Sequence, residues 1–326
     1  MRIGLMVWNE FQFFHVKSIL DRDPAINLVI EGRPGFWRRF PKSLLAGLRN
    51  RVLFCPQAKL SRLDDELDVL VVQSNTVAKT ALKRCKVVGL QYSLSKEWHQ
   101  YGEWLSGADL ALCFGEYSRQ KLENGSPVEV VGNPRLDGFF AGRLDNRILT
   151  DLRTSLTPGK PVLMFAPSWN DAGAVRQLQS ARASLSAEFN VLWSPHHVTR
   201  IFGNKIGKLF GRGSVDHDSF VHFLSVADVL VSDTSGALFD AIHVEKPVII
   251  FDPEPGRSHP SSIEFDQRDR IGPVASNANQ ISALAKAIQS GEISFTDANA
   301  GLRRECFHCS GGAADNILAA IRRRFS

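Results

Sequence analysis

A short run of hydroxyl-bearing residues, Ser232-Asp233-Thr234-Ser235-Gly236, is the part of this sequence best suited to bind a phosphate. It follows an apolar strand-like run from Asp228 to Ser232, and it precedes a helical pattern from Ser235 to Val244 and a further strand at Val248–Phe251. Backbone N–H groups, hydroxyls and the positive end of a helix dipole meet at such a turn, which favours a phosphate or diphosphate. The alternative is an ordinary capping turn, because Ser and Thr are common N-cap residues.

Two further strand ends carry polar residues. Val162–Phe165 is followed by Ser168-Trp169, and Val191–Trp193 is followed by Ser194-Pro195-His196-His197. Because parallel strands end at the same edge of a sheet, we expect these residues to meet the Thr234-Ser235-Gly236 turn at one pocket that faces a first domain. The alternative for each histidine taken singly is a structural role.

Strand-like runs alternate with helical patterns along the chain, which predicts parallel sheets built from βαβ units. The predicted strands of the first series are Ile3–Trp8, Leu28–Glu31, Val52–Cys55, Val69–Gln73, Val87–Gln91, Leu110–Gly115 and Val128–Val131. The predicted helices include Phe11–Leu20, Thr76–Arg84, Glu116–Glu123, Asp137–Leu156, Asn279–Ile288 and Gly311–Arg324.

The best linker is Thr157-Pro158-Gly159-Lys160-Pro161, since proline and glycine interrupt any periodic element there. The length of 326 residues suits two domains better than one core. We therefore predict an α/β protein with two Rossmann-like parallel-sheet domains facing a cleft. The expected domains are residues 1–157 on the acceptor side, residues 158–310 on the nucleotide-donor side, and a helix at 311–326, whose return to the first domain stays open.

Composition excludes several classes of protein. With 44% hydrophobic and 22% charged residues, the sequence is typical of a soluble globular protein. Its longest apolar runs fall short of the roughly 20 residues that cross a bilayer, and MRIGLMVWNE is expected to be a first strand and not a secretory signal. The net charge is +5, but no basic recognition helix or aromatic stacking motif indicates nucleic acid.

The five cysteines, an odd number, favour a reducing cytoplasm. Only Cys306-x-x-Cys309 has metal or redox spacing, and it lacks a second pair. No carboxylate pair has the spacing of metal ligands, so the sequence predicts neither a metal nor a cofactor.

A basic and aromatic segment occupies residues 33–51, with Arg322-Arg323-Arg324-Phe325 as a further basic run. Phe36, Trp37 and Phe40 alternate there with Arg33, Arg38, Arg39 and Lys42. Such a mixture favours an anionic lipid surface. The alternative is a helix that packs its leucines inward and leaves a solvated basic face.

Four motifs in order resemble the CDP-glycerol glycerophosphotransferases of teichoic-acid and capsule assembly. They are APSW at 166–169, SPHH at 194–197, SDTSGALFDAIHVEKPVIIF at 232–251 and GGAADNILAAI at 311–321. VGNPRLD at 131–137 is similar to a further segment of the family, and the resemblance covers roughly residues 86 to 324. It implies the two-domain GT-B fold and a metal-independent transferase.

The resemblance also implies roles for individual residues of the donor side. Thr234, Ser235 and the N–H groups of Ser235 and Gly236 would hold the donor diphosphate, and Asp233 matches the same signature. Asp240 also matches it and would cap or orient the turn. His196 or His197 would neutralise the leaving nucleotide, with Ser168 and Trp169 beside the donor. Lys96, Arg135 and Arg257 are the basic candidates for contacts to acceptor or phosphate.

The first domain departs from the family pattern. The family has a tryptophan-histidine-glycine segment whose histidine is the proposed base, but the aligned residues here, Leu90 to Lys96, contain no histidine. Glu10, His15 and His99 are the remaining candidates for the base. Their alternatives are a helix cap for Glu10, a half-buried helix residue for His15 and a surface residue for His99.

The resulting prediction is a transferase that uses CDP-glycerol, CDP-ribitol or a nucleotide sugar to modify or extend a cell-surface polymer or lipid-linked acceptor. We expect it in the cytoplasm or peripheral on the inner face of the cell membrane. Two alternatives stay open: an enzyme similar to the non-hydrolysing UDP-sugar 2-epimerases, and a non-catalytic nucleotide-sugar binding subunit of a polymer synthase.

Overall fold

A computed structural model describes residues 1–33, 40–74, 77–123, 125–168, 172–196, 219–254 and 259–326. Within them the chain forms two compact units. Unit 1 comprises Met1–Ser93, Glu97–Ala141 and Glu305–Ser326, and unit 2 comprises Leu94–Lys96 and Gly142–Arg304.

Unit 1 is built on a seven-stranded parallel sheet with the strand order β3-β2-β1-β4-β5-β6-β7. The order reverses direction between β1 and β4, which makes this the switch point of an open α/β sheet. The strands are β1 (Ile3–Val7), β2 (Asn27–Gly32), β3 (Val52–Pro56), β4 (Val69–Val72), β5 (Lys86–Leu90), β6 (Leu110–Cys113) and β7 (Val128–Val130).

Unit 2 has a five-stranded parallel sheet with the order β12-β11-β10-β8-β9. Its strands are β8 (Val162–Phe165), β9 (Asn190–Trp193), β10 (Val229–Ser232), β11 (Val248–Phe251) and β12 (Val274–Ala275). The predicted α/β class with two parallel sheets is therefore confirmed.

Helices connect the strands in both units. In chain order the described α-helices are α1 (Glu10–Arg22), α2 (Leu63–Glu66), α3 (Val77–Ala81), α4 (Glu97–Gln100), α5 (Glu103–Ser106), α6 (Glu116–Leu122), α7 (Asp137–Phe140), α8 (Asn146–Ser155), α9 (Ala172–Leu185), α10 (Ser219–Val226), α11 (Ala237–His243), α12 (Ile263–Asp266), α13 (Arg268–Ile271), α14 (Ala278–Gln289), α15 (Thr296–Cys306) and α16 (Ala313–Phe325). Short 3₁₀ helices occupy Lys42–Leu45, Gln57–Arg62 and Pro134–Leu136.

Both faces of the unit 1 sheet are buried, as expected for parallel strands that read as continuous apolar runs. Leu5 and Val71 belong to the core that α1 and α16 cover, whereas Met6 and Leu70 belong to the cluster around α2 and α3 on the other face. This alternation follows from the two-residue period of a strand.

The prediction of one helix from Asp137 to Leu156 is wrong, because α7 and α8 are separate. Gly142 adopts a left-handed φ of 63° between them, and the Asp145 carboxylate caps α8 by accepting from the Arg147 N–H at 2.8 Å. Helix α8 lies in unit 2, where the Asp145 N–H donates to Nε2 of His222 at 3.0 Å. The units accordingly divide at 141/142, whereas we expected a junction at 157/158.

The VGNPRLD segment holds the last helix within unit 1. Gly132 has a φ of +92°, and a side-chain Cβ there would lie 2.6 Å from Sγ of Cys309. The Asp137 carboxylate accepts from the N–H groups of Ala313 and Ala314 at 3.0 and 2.8 Å. Burial raises the pKa of Asp137, and the two backbone donors oppose that shift. The segment thus caps the first turn of α16 with a buried carboxylate.

The described part of the basic segment uses its apolar residues inside unit 1. Phe40 is buried, and Leu44, Leu45 and Leu48 pack against the core beneath α1, while Lys42 and Arg49 are exposed. This matches the alternative in which the leucines point inward, although only the short 3₁₀ helix Lys42–Leu45 forms. Residues 34–39, with Phe36, Trp37, Arg38 and Arg39, lie outside the described residues. In the ranges given above, no helix is both long and apolar enough to cross a lipid bilayer.

We predict that Asp137→Ala lowers the stability of unit 1 by about 2 kcal/mol, because two buried N–H groups at the start of α16 lose their acceptor. The measurement is urea unfolding followed by circular dichroism. Asp315→Ala is the control on the same helix: Asp315 is 61% exposed and forms a surface ion pair with Arg22, so the substitution should change stability by less than about 0.5 kcal/mol. Equal effects of the two substitutions would contradict the capping role.

Candidate functional site

The strands that precede Ser168, His196 and the hydroxyl turn end at one edge of the unit 2 sheet. Strand β8 lies between β10 and β9, and all three are parallel, so Ser168, His196 and the turn after β10 follow neighbouring strand ends. His196 is half-buried. Three other predicted site residues, Trp169, His197 and Arg257, lie outside the described residues.

Asp233 joins the ends of β8 and β10. Its Oδ1 accepts from the Ser168 N–H at 2.7 Å, and its Oδ2 accepts from the Ser168 hydroxyl at 2.5 Å. Ser168 is 1% exposed and Asp233 is 5% exposed. Burial raises the pKa of Asp233, while the Ser168 bonds and the Lys96 charge act in the opposite direction. Beneath this pair, the Ser232 hydroxyl donates to the carbonyl of Ala166 at 2.6 Å.

The turn after Asp233 exposes its hydroxyl groups more than its acid. Thr234, Ser235 and Gly236 are half-buried. Oγ of Ser235 accepts from the Ala237 N–H at 3.3 Å, which is the side-chain turn expected of serine before a helix. Helix α11 is shorter than the predicted 235–244, because Ser235 and Gly236 belong to the turn. Asp240 is buried within α11 at 8% exposure.

Lys96 lies in unit 2, although it comes from the first half of the sequence. Its N–H donates to Oε1 of Glu264 at 2.9 Å, and the Ser262 hydroxyl donates to Oε2 of the same carboxylate. Burial lowers the pKa of Lys96, whereas the charges of Asp233 and Glu264 raise it. Burial likewise raises the pKa of Glu264, which is 2% exposed.

Sequence reasoning missed Glu264 entirely. Its partner Lys96 is 168 residues away, and no periodic pattern links the two. The one local signal is Ser262-Ile263-Glu264, in which Ser262 precedes a short helix as its N-cap and Glu264 follows in the first turn.

The base candidates of unit 1 fall beside a group of aromatic rings. The His15 ring, 1% exposed, lies 4.5 Å from Phe11 and 6.2 Å from Tyr92, measured between centroids. His99, half-buried and not on the surface, lies 6.2 Å from Tyr92, and the Arg135 guanidinium lies 5.2 Å from the Phe11 centroid. These contacts bring the two candidate histidines and one candidate cation to a single cluster.

Two observations in unit 1 concern the choice of base: which residue caps α1, and the burial of Tyr92. Glu10 begins α1 and is half-buried, following the N-cap Asn9, whose Oδ1 accepts from the Gln12 N–H at 2.8 Å. Asn9, and not Glu10, therefore caps the helix. Tyr92 lies in the stretch that aligns with the missing histidine, and burial raises its pKa to about 12.

The cysteines show no paired site. All five are free, and Cys306 is buried. Cys309 lies against Val131 and against Asn316 of α16. Among the residues that the structure describes, no group of three or more His, Cys, Asp or Glu side chains is placed to hold a metal ion.

Solved structures share the fold over the whole chain. The wall teichoic acid polymerase TagF aligns with a TM-score of 0.65 at 13% identity, covering 99% of this chain and 88% of that one. UDP-GlcNAc 2-epimerase from Neisseria meningitidis aligns with a TM-score of 0.66 at 13% identity, covering 98% and 100%. At identities this low, the likeness establishes the fold alone. The two structural alignments confirm the predicted GT-B fold class.

Sequence comparison is more selective. A teichoic acid glycerol-phosphate transferase of Staphylococcus aureus (strain NCTC 8325 / PS 47) is 24% identical over 209 residues, which is 59% of this chain and 53% of that protein. The match thus spans about half the length of that relative. The family model described as CDP-Glycerol:Poly(glycerophosphate) glycerophosphotransferase matches residues 123–322. This range includes Ser168, His196, the turn after Asp233 and the VGNPRLD segment at 131–137. Since this match covers more than half of the chain, the protein belongs to the CDP-glycerol:poly(glycerophosphate) glycerophosphotransferase family.

Proposed function

We propose that the protein transfers a group from a nucleotide-activated donor, with CDP-glycerol as the first candidate, to a hydroxyl of a cell-surface polymer or lipid-linked acceptor. One observation carries the proposal: the half-buried hydroxyl turn at Thr234–Gly236 lies at the sheet edge that also carries Ser168 and His196, in a chain of the glycerophosphotransferase family. CDP-ribitol and sugar nucleotides stay within the proposal as other donors.

In the proposed donor seat, the hydroxyls of Thr234 and Ser235 and the N–H groups of Ser235 and Gly236 donate to the diphosphate. Asp233 and Ser168 are too buried to meet a ligand directly, so we assign them to holding the turn. This arrangement presets the donors before the phosphate arrives, which is the condition for electrostatic catalysis. Three further assignments rest on sequence alone: Trp169 binds the donor, His197 is the alternative to His196, and Arg257 contacts the acceptor or a phosphate.

The proposed reaction begins when an acceptor hydroxyl oxygen attacks the phosphorus that carries glycerol. The bond from that phosphorus to the bridging oxygen breaks, CMP leaves, and the acceptor proton passes to a base. Imidazolium at His196 would neutralise the leaving phosphate, since histidine gains and loses a proton near neutral pH. Of the base candidates, half-buried Glu10 is favoured over His15, which is 1% exposed.

The epimerase alternative shares only the fold, at 13% identity to the Neisseria enzyme. The family match favours the transferase. Release of CMP from CDP-glycerol with a lipid-linked acceptor separates a transferase from a binding subunit, and isomerisation of UDP-GlcNAc alone identifies an epimerase.

We further propose that the enzyme works in the cytoplasm, on the inner face of the membrane, and that attraction to lipid is electrostatic. Exposed Lys42, Arg49 and Arg51 support this, whereas the inward packing of Leu44, Leu45 and Leu48 argues against insertion of these side chains.

We expect purified protein to be stabilised against heat by one member of a panel of CDP, UDP and CMP and their glycerol or sugar derivatives. Ser235→Ala and His196→Ala should each lower the affinity for that nucleotide about tenfold, because each removes a proposed contact to a charged phosphate. The affinities are measured by calorimetry. Ser282→Ala, a remote serine of α14 that donates to Glu188, is the matched control and should bind as the wild type does. No shift with any nucleotide rejects the donor site.

Asp233→Ala is expected to destabilise unit 2 by about 3 kcal/mol, since it leaves the buried N–H and hydroxyl of Ser168 without an acceptor. Asp233→Asn should retain most of the stability and of the nucleotide affinity, because the amide can accept from the N–H and donate to Oγ. Thermal unfolding and calorimetry measure the two effects. An Asn variant as unstable as the Ala variant would contradict the assigned role.

The same pair of proteins has an expected pH dependence. The folded-state pKa of Asp233 is raised by burial, so protonation stabilises the fold at acid pH, and this contribution is lost as the pH rises through the raised pKa. Asn does not titrate. The wild type should therefore gain stability relative to Asp233→Asn as the pH falls from 7 towards 4. A difference that does not change with pH would contradict the raised pKa of Asp233.

Flotation with vesicles containing phosphatidylglycerol tests the membrane proposal. Lys42→Glu/Arg49→Glu should reduce binding, whereas Lys83→Glu/Arg84→Glu, beside the cluster on the opposite face of the sheet, should not. Equal loss for both pairs would mean that only net charge matters, and unaltered binding by the first pair would reject the surface.

A further inference from the structure

Lys96 has an unusual backbone conformation for a residue with a side chain. Its φ is +60°, in the left-handed region that non-glycine residues seldom occupy. Such a conformation is strained for a residue with a side chain and persists only where the surroundings hold it. One contact that holds it is the hydrogen bond from its N–H to Oε1 of Glu264 at 2.9 Å.

Burial and a second hydrogen bond fix the Glu264 side chain. It is 2% exposed, and its second oxygen accepts from the hydroxyl of Ser262, which is 1% exposed. A buried carboxylate is costly unless hydrogen bonds and an opposite charge compensate it. Ser262 and the Lys96 N–H supply the bonds, and the Lys96 ammonium supplies the charge.

The other acid that acts on Lys96 directly precedes the hydroxyl turn. Asp233 and Lys96 interact electrostatically, and both hydrogen-bonding oxygens of Asp233 are already engaged with Ser168. Lys96 belongs to the same unit as Thr234–Gly236, and its charge acts on Asp233, the residue directly before that turn, without taking part in the two hydrogen bonds to Ser168. An ammonium held there is available to balance added negative charge at the turn.

We propose that the Lys96 ammonium is the cation that balances the donor diphosphate at the Thr234–Gly236 turn, and that Glu264 is the positioning residue that fixes Lys96 there. The inference rests on the proposed donor site. It assigns Lys96 to the donor and not to the acceptor, and it gives a role to an acid that no sequence motif marks.

A double-mutant cycle on the full-length protein tests the proposal, with CDP as the probe and calorimetry as the measurement. Lys96→Met should weaken CDP binding about tenfold, and Glu264→Ala should weaken it by a similar factor, because the Lys96 N–H loses its acceptor. The double variant should be no weaker than the weaker single variant, since Glu264 acts through Lys96. Lys96→Arg, which keeps the charge, should retain most of the affinity.

Controls separate positioning from a general loss of structure. Glu254→Gln alters an exposed carboxylate of the same unit and should bind CDP as the wild type does. Cytidine, which lacks phosphate, should lose no affinity in any of the four proteins of the cycle. If Glu264→Ala does not fold, Ser262→Ala, which removes a hydrogen bond to the same carboxylate, replaces it in the cycle.

The outcomes distinguish the two proposals. Multiplicative losses in the double variant, or unaltered CDP affinity in Lys96→Met, overturn the roles of Lys96 and Glu264 while leaving the donor site in place. A wild-type protein that binds none of the nucleotides rejects the donor site and this inference together. A cycle in which either single variant accounts for the whole loss supports both.

Discussion

The buried Asp233 carboxylate is the constraint on which the candidate site depends, because it ties the end of β8 to the end of β10 through Ser168. A parallel sheet brings strand ends to one edge but leaves the loops beyond them without ladder partners. Ser168 and the turn after β10 are such loops. Two hydrogen bonds to one carboxylate fix their relative position, at the cost of removing a charge from water. The hydroxyls of Thr234 and Ser235 are thereby left half-exposed on a fixed backbone.

Carboxylates also accept from backbone N–H groups at several other places in the described part of the chain. Asp137 accepts from the first N–H groups of α16, Asp228 from the Val162 N–H at 2.7 Å, and Asp64 from the Cys85 N–H at 2.8 Å. Glu264 does so for Lys96. Each uses the fact that a charged acceptor strengthens a hydrogen bond to a backbone donor. An aspartate in a recognisable motif is therefore, in this chain, as much a structural element as a candidate ligand.

This distinction explains what the sequence could and could not predict. The apolar runs of β1, β4 and β10 predicted strands correctly, because a strand buried on both faces leaves a pattern in consecutive residues. The position of Ser168, His196 and the hydroxyl turn after neighbouring strand ends followed from the parallel arrangement. The division of Asp137–Leu156 into α7 and α8 was missed because Gly142 and Asp145 interrupt an otherwise helical composition. The pairing of Lys96 with Glu264 was beyond any local pattern, since tertiary structure alone brings them together.

The same reasoning bears on the base that activates the acceptor. The residue near the missing histidine is Tyr92, and a phenol with a pKa near 12 stays protonated at neutral pH, so it can donate a hydrogen bond but cannot take a proton. His15, against Phe11 and Tyr92, has almost no exposed surface through which an acceptor could reach it. Glu10 differs from His15 in being half-buried, and from Tyr92 in carrying a carboxyl group. Asn9, and not Glu10, caps α1. Asn9 thus fills the capping role that was the alternative for Glu10, and Glu10 stays the base that we propose.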